Sequence, residues 1–139
     1  MRRLVSILVL AALAFAAQAA ELAAADAKRV RAVIQSQLDA FAADDAPRAF
    51  SFATPQLREA FGSADNFMRM VRASYPVVYR HATVAFLKPE LADGVVTQAV
   101  HFTDGKGVLW LAVYRLERQR DRSWRISACQ VIEAEGHAA

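Results

Sequence analysis

Along the chain the apolar positions first recur at helical spacing and later switch to strict alternation. From Asp26 onward, Val30, Val33, Ile34, Leu38 and Phe41 lie three or four residues apart, so one face of a helix turns toward a core. Gln37 falls inside that arc, and a polar side chain on a buried face must either bond a neighbouring backbone group or line a pocket. Asp44-Asp45-Ala46-Pro47 breaks the helix and caps a short successor carrying Ala49, Phe50 and Phe52, because aspartate accepts from orphan amides and proline tolerates a first turn. Thr54-Pro55 repeats the signal for a helix with Leu57, Ala60 and Phe61 on one face and Gly62 as its stop. A further helix opened by Ser63 or Asp65 turns Phe67, Met70, Val71 and Tyr75 inward and leaves Arg69 and Arg72 in solvent. Pro76 ends it.

Beyond Tyr79 the period becomes two, and strands are predicted at Thr83 to Leu87, Val95 to Thr103, Val108 to Arg118 and Trp124 to Ile132. Asp93-Gly94, Asp104-Gly105-Lys106-Gly107 and Asp121-Arg122-Ser123 separate them, and such short turn-forming links join antiparallel neighbours. The fold class is therefore α+β, with N-terminal helices packed on a curved, four-stranded antiparallel meander. The face meeting the helices carries Val96, Gln98, Val100 and Phe102, then Trp110, Ala112, Tyr114 and Leu116, then Trp124, Ile126, Ala128 and Ile132. Trp124 is expected against the first helix near Ile34 and Leu38. The opposite face of the third predicted strand is also apolar through Leu109, Leu111 and Val113, which predicts a homodimer across it.

The N-terminus carries a different pattern. Met1-Arg2-Arg3 is cationic, Leu4 to Ala17 is apolar and uncharged, and Ala17-Gln18-Ala19 fits a small-x-small cleavage site. Residues 1–19 read as a secretory signal peptide, the apolar run being shorter than the roughly 20 residues a spanning helix needs. Residues 20–139 then form a single domain that is periplasmic or secreted, with no membrane attachment after cleavage. The only cysteine, Cys129, lies far from the cleavage site, so neither a lipid anchor nor an internal disulfide is available. Loss of Arg2 and Arg3 changes the balance of 17 basic and 14 acidic residues to 15 against 14, a net charge of +1. That is too weak a field to imply nucleic acid as a partner.

Candidate chemistry is sparse. His81, His101 and His137 show no ligand spacing, so no metal or cofactor is implied. Cys129 reads as a small buried residue. Ser63 follows a glycine, but the nucleophile elbow is absent. Arg115, Arg118, Arg120, Arg122 and Arg125 crowd one hairpin and read as the solvated edge of the sheet.

Helices followed by a curved meander, with an aspartate break after the first helix and an aromatic-led last strand Ser123-Trp124-Arg125-Ile126, resemble the nuclear transport factor 2-like cone. More narrowly, Ile34-Gln35-Ser36-Gln37 with Phe41, Thr54-Pro55-Gln56-Leu57 with Phe61, Tyr75-Pro76-Val77-Val78-Tyr79-Arg80 and Trp124-Arg125-Ile126-Ser127-Ala128-Cys129 resemble the secreted bacterial family of domain of unknown function 4864. That resemblance implies the fold and no activity. Gln37, Tyr75, Tyr79, Gln98, Trp110 and Tyr114 are the candidate pocket residues within the cone. With no acid on the inner strand face, the expected role is a non-enzymatic module for a small apolar ligand or a protein partner. The alternative is an isomerase, cyclase or dehydratase, which needs His81 or His101 beside Tyr79 or Tyr114.

Overall fold

The computed structural model describes residues 21–134; the candidate leader, its cleavage site and His137 lie outside them. Five helices precede the sheet: α1 (Ala24–Ala42), α2 (Ala46–Ser51), α3 (Pro55–Phe61), α4 (Ala64–Ser74) and α5 (Pro76–Tyr79). Five strands follow: β1 (Thr83–Phe86), β2 (Glu90–Ala92), β3 (Val95–Thr103), β4 (Leu109–Arg118) and β5 (Trp124–Glu133).

The helix boundaries follow from capping chemistry. The Asp45 carboxylate accepts from the Arg48 amide at 3.1 Å, Thr54 Oγ1 from Leu57 at 3.3 Å and Ser63 Oγ from Asn66 at 3.1 Å, each satisfying one orphan donor of a first turn. Gly62 closes α3 with φ +81°, a conformation that a side chain resists. Pro76 does more than end α4. Its fixed φ starts the extra turn of α5, an element too short for the apolar spacing to predict. On α3 Leu57 and Phe61 are only half-buried and Ala60 faces solvent.

The sheet is antiparallel throughout, in the order β1-β3-β4-β5, with β2 on the same side of β3 as β1. It has five strands and not the four expected. The additional strand, β2, is joined to β3 by Asp93 (φ 51°) and Gly94 (φ 76°), the doubly left-handed pair of a two-residue hairpin turn.

The second correction is a β-bulge. Leu116 pairs with Ile126 but Arg115 pairs with Ala128, so Ser127 is an extra residue in β5. Before the bulge Trp124 and Ile126 face the helices as expected. After it the faces exchange, Cys129 and Val131 turn inward opposite Tyr114 and Ala112, and Ala128 and Ile132 turn outward. Ile132 is 58% exposed for this reason. Next to the bulge, Ile126 donates to Phe52 O at 2.8 Å and accepts from the Thr54 amide at 2.9 Å, so the α2–α3 connection covers the edge of β5.

Val30, Ile34, Leu38 and Phe41 of α1 join Val96, Val100, Phe102, Ala112 and Leu116 in a single core. Trp124 docks on α1 as expected of it, but it reaches the first turn of that helix, where its Nε1 donates to Asp26 Oδ1 at 3.3 Å. Arg118 donates to the same oxygen at 2.6 Å and lies over the Trp124 ring at 5.1 Å, a cation on an aromatic face. Trp124 is 6% exposed. Trp124→Ala therefore leaves a cavity under α1 and removes a cross-element hydrogen bond, and urea unfolding should register a loss of about 3 to 5 kcal/mol. Wild-type stability in this variant would mean that the tryptophan does not hold the helix to the sheet.

Candidate functional site

Between the helices and the inner sheet face lies a cavity of about 160 Å³. Its walls come from Gln37 and Phe41 of α1, Leu57 and Phe61 of α3, Phe67, Met70 and Val71 of α4, Tyr75 and Val78 around α5, Tyr114 of β4, and Ile126 and Cys129 of β5. The aromatic part of the wall is built around Phe67, whose ring lies 5.9 Å from Phe41, 5.6 Å from Phe50 and 5.3 Å from Phe61, the last edge-on. Leu57, Phe61, Met70 and Tyr75 are half-exposed, whereas Gln37, Phe41 and Tyr114 are buried.

Two polar side chains on this wall differ in how they are satisfied. Gln37 donates through Nε2 to the Ala49 carbonyl at 3.2 Å, tying α1 to α2 while it lines the cavity. Tyr114 is 1% exposed, and its hydroxyl has no hydrogen-bond partner. Burial drives its pKa well above the ordinary value, so the phenol keeps its proton. The Cys129 thiol lies opposite on β5, near enough to influence that ionisation without meeting hydrogen-bond geometry, and burial pushes its own pKa up to about 12.

Of the six candidate pocket residues, the structure brings Gln37, Tyr75 and Tyr114 together and places the other three elsewhere. Gln98 is buried on the inner face, but its Nε2 donates to Leu87 O at 2.7 Å and Ala99 O at 2.8 Å, stitching the sheet where β1 ends. Trp110 is held by Asp104 Oδ2, 3.1 Å from its Nε1, and lines a separate groove with Pro76, Arg80 and Val131. The Tyr79 hydroxyl donates to Asp44 on the surface.

That surface cluster also corrects the view of Arg72 as merely solvated. Arg72 and Arg80 each lie 3.2 Å from the Asp44 carboxylate, and Arg80 donates to the Phe41 carbonyl at 2.8 Å. The Arg80 guanidinium covers the Tyr79 ring at 4.0 Å. The Tyr79 hydrogen bond, ahead of the two arginines, lowers the Asp44 pKa. The group clamps the end of α1 to α4 and α5. The basic hairpin is partly engaged too, with Arg118 on Asp26 and Arg125 donating to the Ser51 carbonyl.

Neither described histidine reaches the cavity. His101 is on the outer face between Ala85 and Leu111, and His81 packs on Phe102 at 5.2 Å with its Nδ1 buried and unpartnered. Desolvation lowers the His81 pKa, which keeps the ring neutral at pH 7. The imidazole–phenol pair that the enzyme alternative needs is thus not assembled at Tyr79 or Tyr114. Among the described residues no group of histidine, cysteine and carboxylate side chains is placed to hold a metal ion, and no helix is long and apolar enough to cross a membrane.

Cys129, Leu57, Phe61 and Phe67 are among the wall residues that were not candidates. Phe67 was legible as an inward helical position, while Cys129 became a wall residue only through the bulge. With its pKa at about 12, roughly one Cys129 thiol in ten thousand is ionised at pH 8. A disulfide reagent should therefore modify the native protein at least about a hundredfold more slowly than the urea-unfolded chain. Equal rates would place the thiol in solvent and the bulge elsewhere.

No curated protein matches the chain. A solved structure similar to it is an NTF-2-like protein of unknown function from Silicibacter pomeroyi, 15% identical, with a TM-score of 0.56 over 82% of this chain and 100% of the other. At that identity the likeness extends to the fold, an α+β cone with helices packed against an antiparallel sheet. The family model described as Domain of unknown function (DUF4864) matches residues 23–139, nearly all that follows the candidate leader, and the chain belongs to that family.

Proposed function

We propose that this protein is a non-enzymatic binding module that holds a small apolar molecule inside its cone. The observation that carries the proposal is Tyr114, which lines a largely apolar cavity and whose wholly buried hydroxyl has no hydrogen-bond partner. A buried donor left unsatisfied costs about 1 to 3 kcal/mol, so a structure that retains one beside a cavity has a use for it there. The half-exposed rim of Leu57, Phe61, Met70 and Tyr75 offers a way in past side chains alone. On the same proposal the module works in the periplasm or outside the cell, delivered by the leader in residues 1–19.

Native mass spectrometry of protein purified from its own cells tests this proposal. A bound molecule of low mass is expected, released on denaturation and lost in Val71→Phe, which fills the cavity from α4. A ligand-free wild type that also takes up no added hydrophobic probe would contradict it.

The outer sheet face supports a second element of the proposal, a homodimer. Leu87 and Ile132 are 41% and 58% exposed, and the strand register aligns them with Leu109, Leu111 and Val113 on that face. The bulge itself adds Ile132 to this patch. Contiguous apolar surface of this kind is uncommon on monomers, and a self-paired sheet face is a simple isologous cover. Leu111→Lys should yield a folded monomer by sedimentation at micromolar concentration. A monomeric wild type, or global unfolding of the variant, would refute the interface.

A further inference from the structure

We propose that the cavity takes an uncharged molecule of about one aromatic ring bearing a single hydrogen-bond-accepting oxygen and no donor, in the manner of a phenyl ketone, with the Tyr114 hydroxyl donating to that oxygen. This rests on the cavity-binding proposal above and specifies its chemistry.

Size gives the first constraint. The cavity volume of about 160 Å³ is close to the roughly 150 Å³ engineered void that admits benzene. The wall gives the second constraint. Phe61 and Phe67 present ring edges and faces at spacings of the kind a further ring can join, and the sulfurs of Met70 and Cys129 are soft partners for an aromatic edge.

Charge gives the third constraint. None of the residues lining the cavity is an acid, a lysine, an arginine or a histidine. A carboxylate or ammonium entering it would lose its hydration with no counter-charge, a cost that a neutral oxygen avoids. Donor count gives the fourth. Among the described residues Tyr114 carries the one buried oxygen or nitrogen of the cavity-lining side chains that has no hydrogen-bond partner, while Gln37 spends one of its two amide N–H groups on Ala49 and Cys129 offers only a weak thiol donor. A single strong buried donor suits one accepting oxygen. Burial keeps the phenol protonated across the working pH range, so it presents its proton to the ligand and does not become an anion.

Titrations of the full-length processed protein with acetophenone, ethylbenzene and benzoate, followed by chemical shift, test this assignment. The first two have nearly the same shape, but only acetophenone carries the accepting oxygen. Wild type should bind acetophenone about tenfold more tightly than ethylbenzene, the worth of one buried hydrogen bond, and should not bind benzoate measurably. Tyr114→Phe should lose the acetophenone preference and bind ethylbenzene as the wild type does. Its melting temperature should equal or exceed that of wild type, because the substitution removes an unpartnered buried hydroxyl. If the variant does not fold, the wild-type preference decides alone.

Equal wild-type affinity for acetophenone and ethylbenzene would mean that the hydroxyl serves only water, and would overturn the oxygen assignment while leaving an apolar binding cavity. Tighter binding of benzoate, or a preference that survives in Tyr114→Phe, would overturn it as well. Failure of both neutral probes to bind at millimolar concentration would overturn this inference together with the binding proposal beneath it.

Discussion

One extra residue in the last strand governs what the cone presents to its interior. Because side chains alternate along a strand, Ser127 inserted opposite the Arg115–Leu116 step exchanges the two faces of everything that follows. Upstream, Trp124 and Ile126 serve the core. Downstream, Cys129 and Val131 take over that duty, and Ile132, which an unbroken alternation would bury, goes to solvent. The bulge lies where the Phe52–Thr54 segment hydrogen-bonds to Ile126, so the point at which the helices are tied to the sheet edge is also the point at which β5 changes face. Both the sulfur beside Tyr114 and the breadth of the outer apolar patch descend from this single irregularity.

The helical layer is fixed from the other side. Asp26 receives Arg118 and Trp124 at the start of α1, while Asp44 gathers Arg72, Tyr79 and Arg80 at its end. These are partly exposed charge contacts, modest individually, but they anchor both ends of the longest helix against different elements. The cavity lies under the second half of α1, where Gln37 bridges to α2. A layer held at its ends and by one internal hydrogen bond can keep a gap above the sheet that side-chain packing alone would close.

Much of this was legible in the residues. The apolar spacing from Val30 to Phe41, the caps at Asp45, Thr54 and Ser63, and the turns around Asp93 and Asp104 placed the main elements because each signal is local. β2 escaped because three residues are too few to show alternation, although Asp93-Gly94 is the kind of turn that closes a hairpin. Ser127 carries no mark of a bulge, since any residue can be the extra one when tertiary contacts demand it, and so the facing of Ala128, Cys129 and Ile132 could not be read. Tyr79, Gln98 and Trp110 left the candidate pocket for a related reason. Each found a partner, in Asp44, Leu87 and Asp104, that only the fold brings near.

Which side chains of β5 face Tyr114 decides whether the cavity has the walls described. Nuclear Overhauser contacts from the Tyr114 ring measure this directly in solution. Cross-peaks to the Cys129 β-protons and to the Ile126 methyls, with none to the Ala128 methyl, are the predicted pattern. Strong contacts from Tyr114 to the Ala128 methyl, with Cys129 silent, would show a strand without the bulge and would contradict the cavity built upon it.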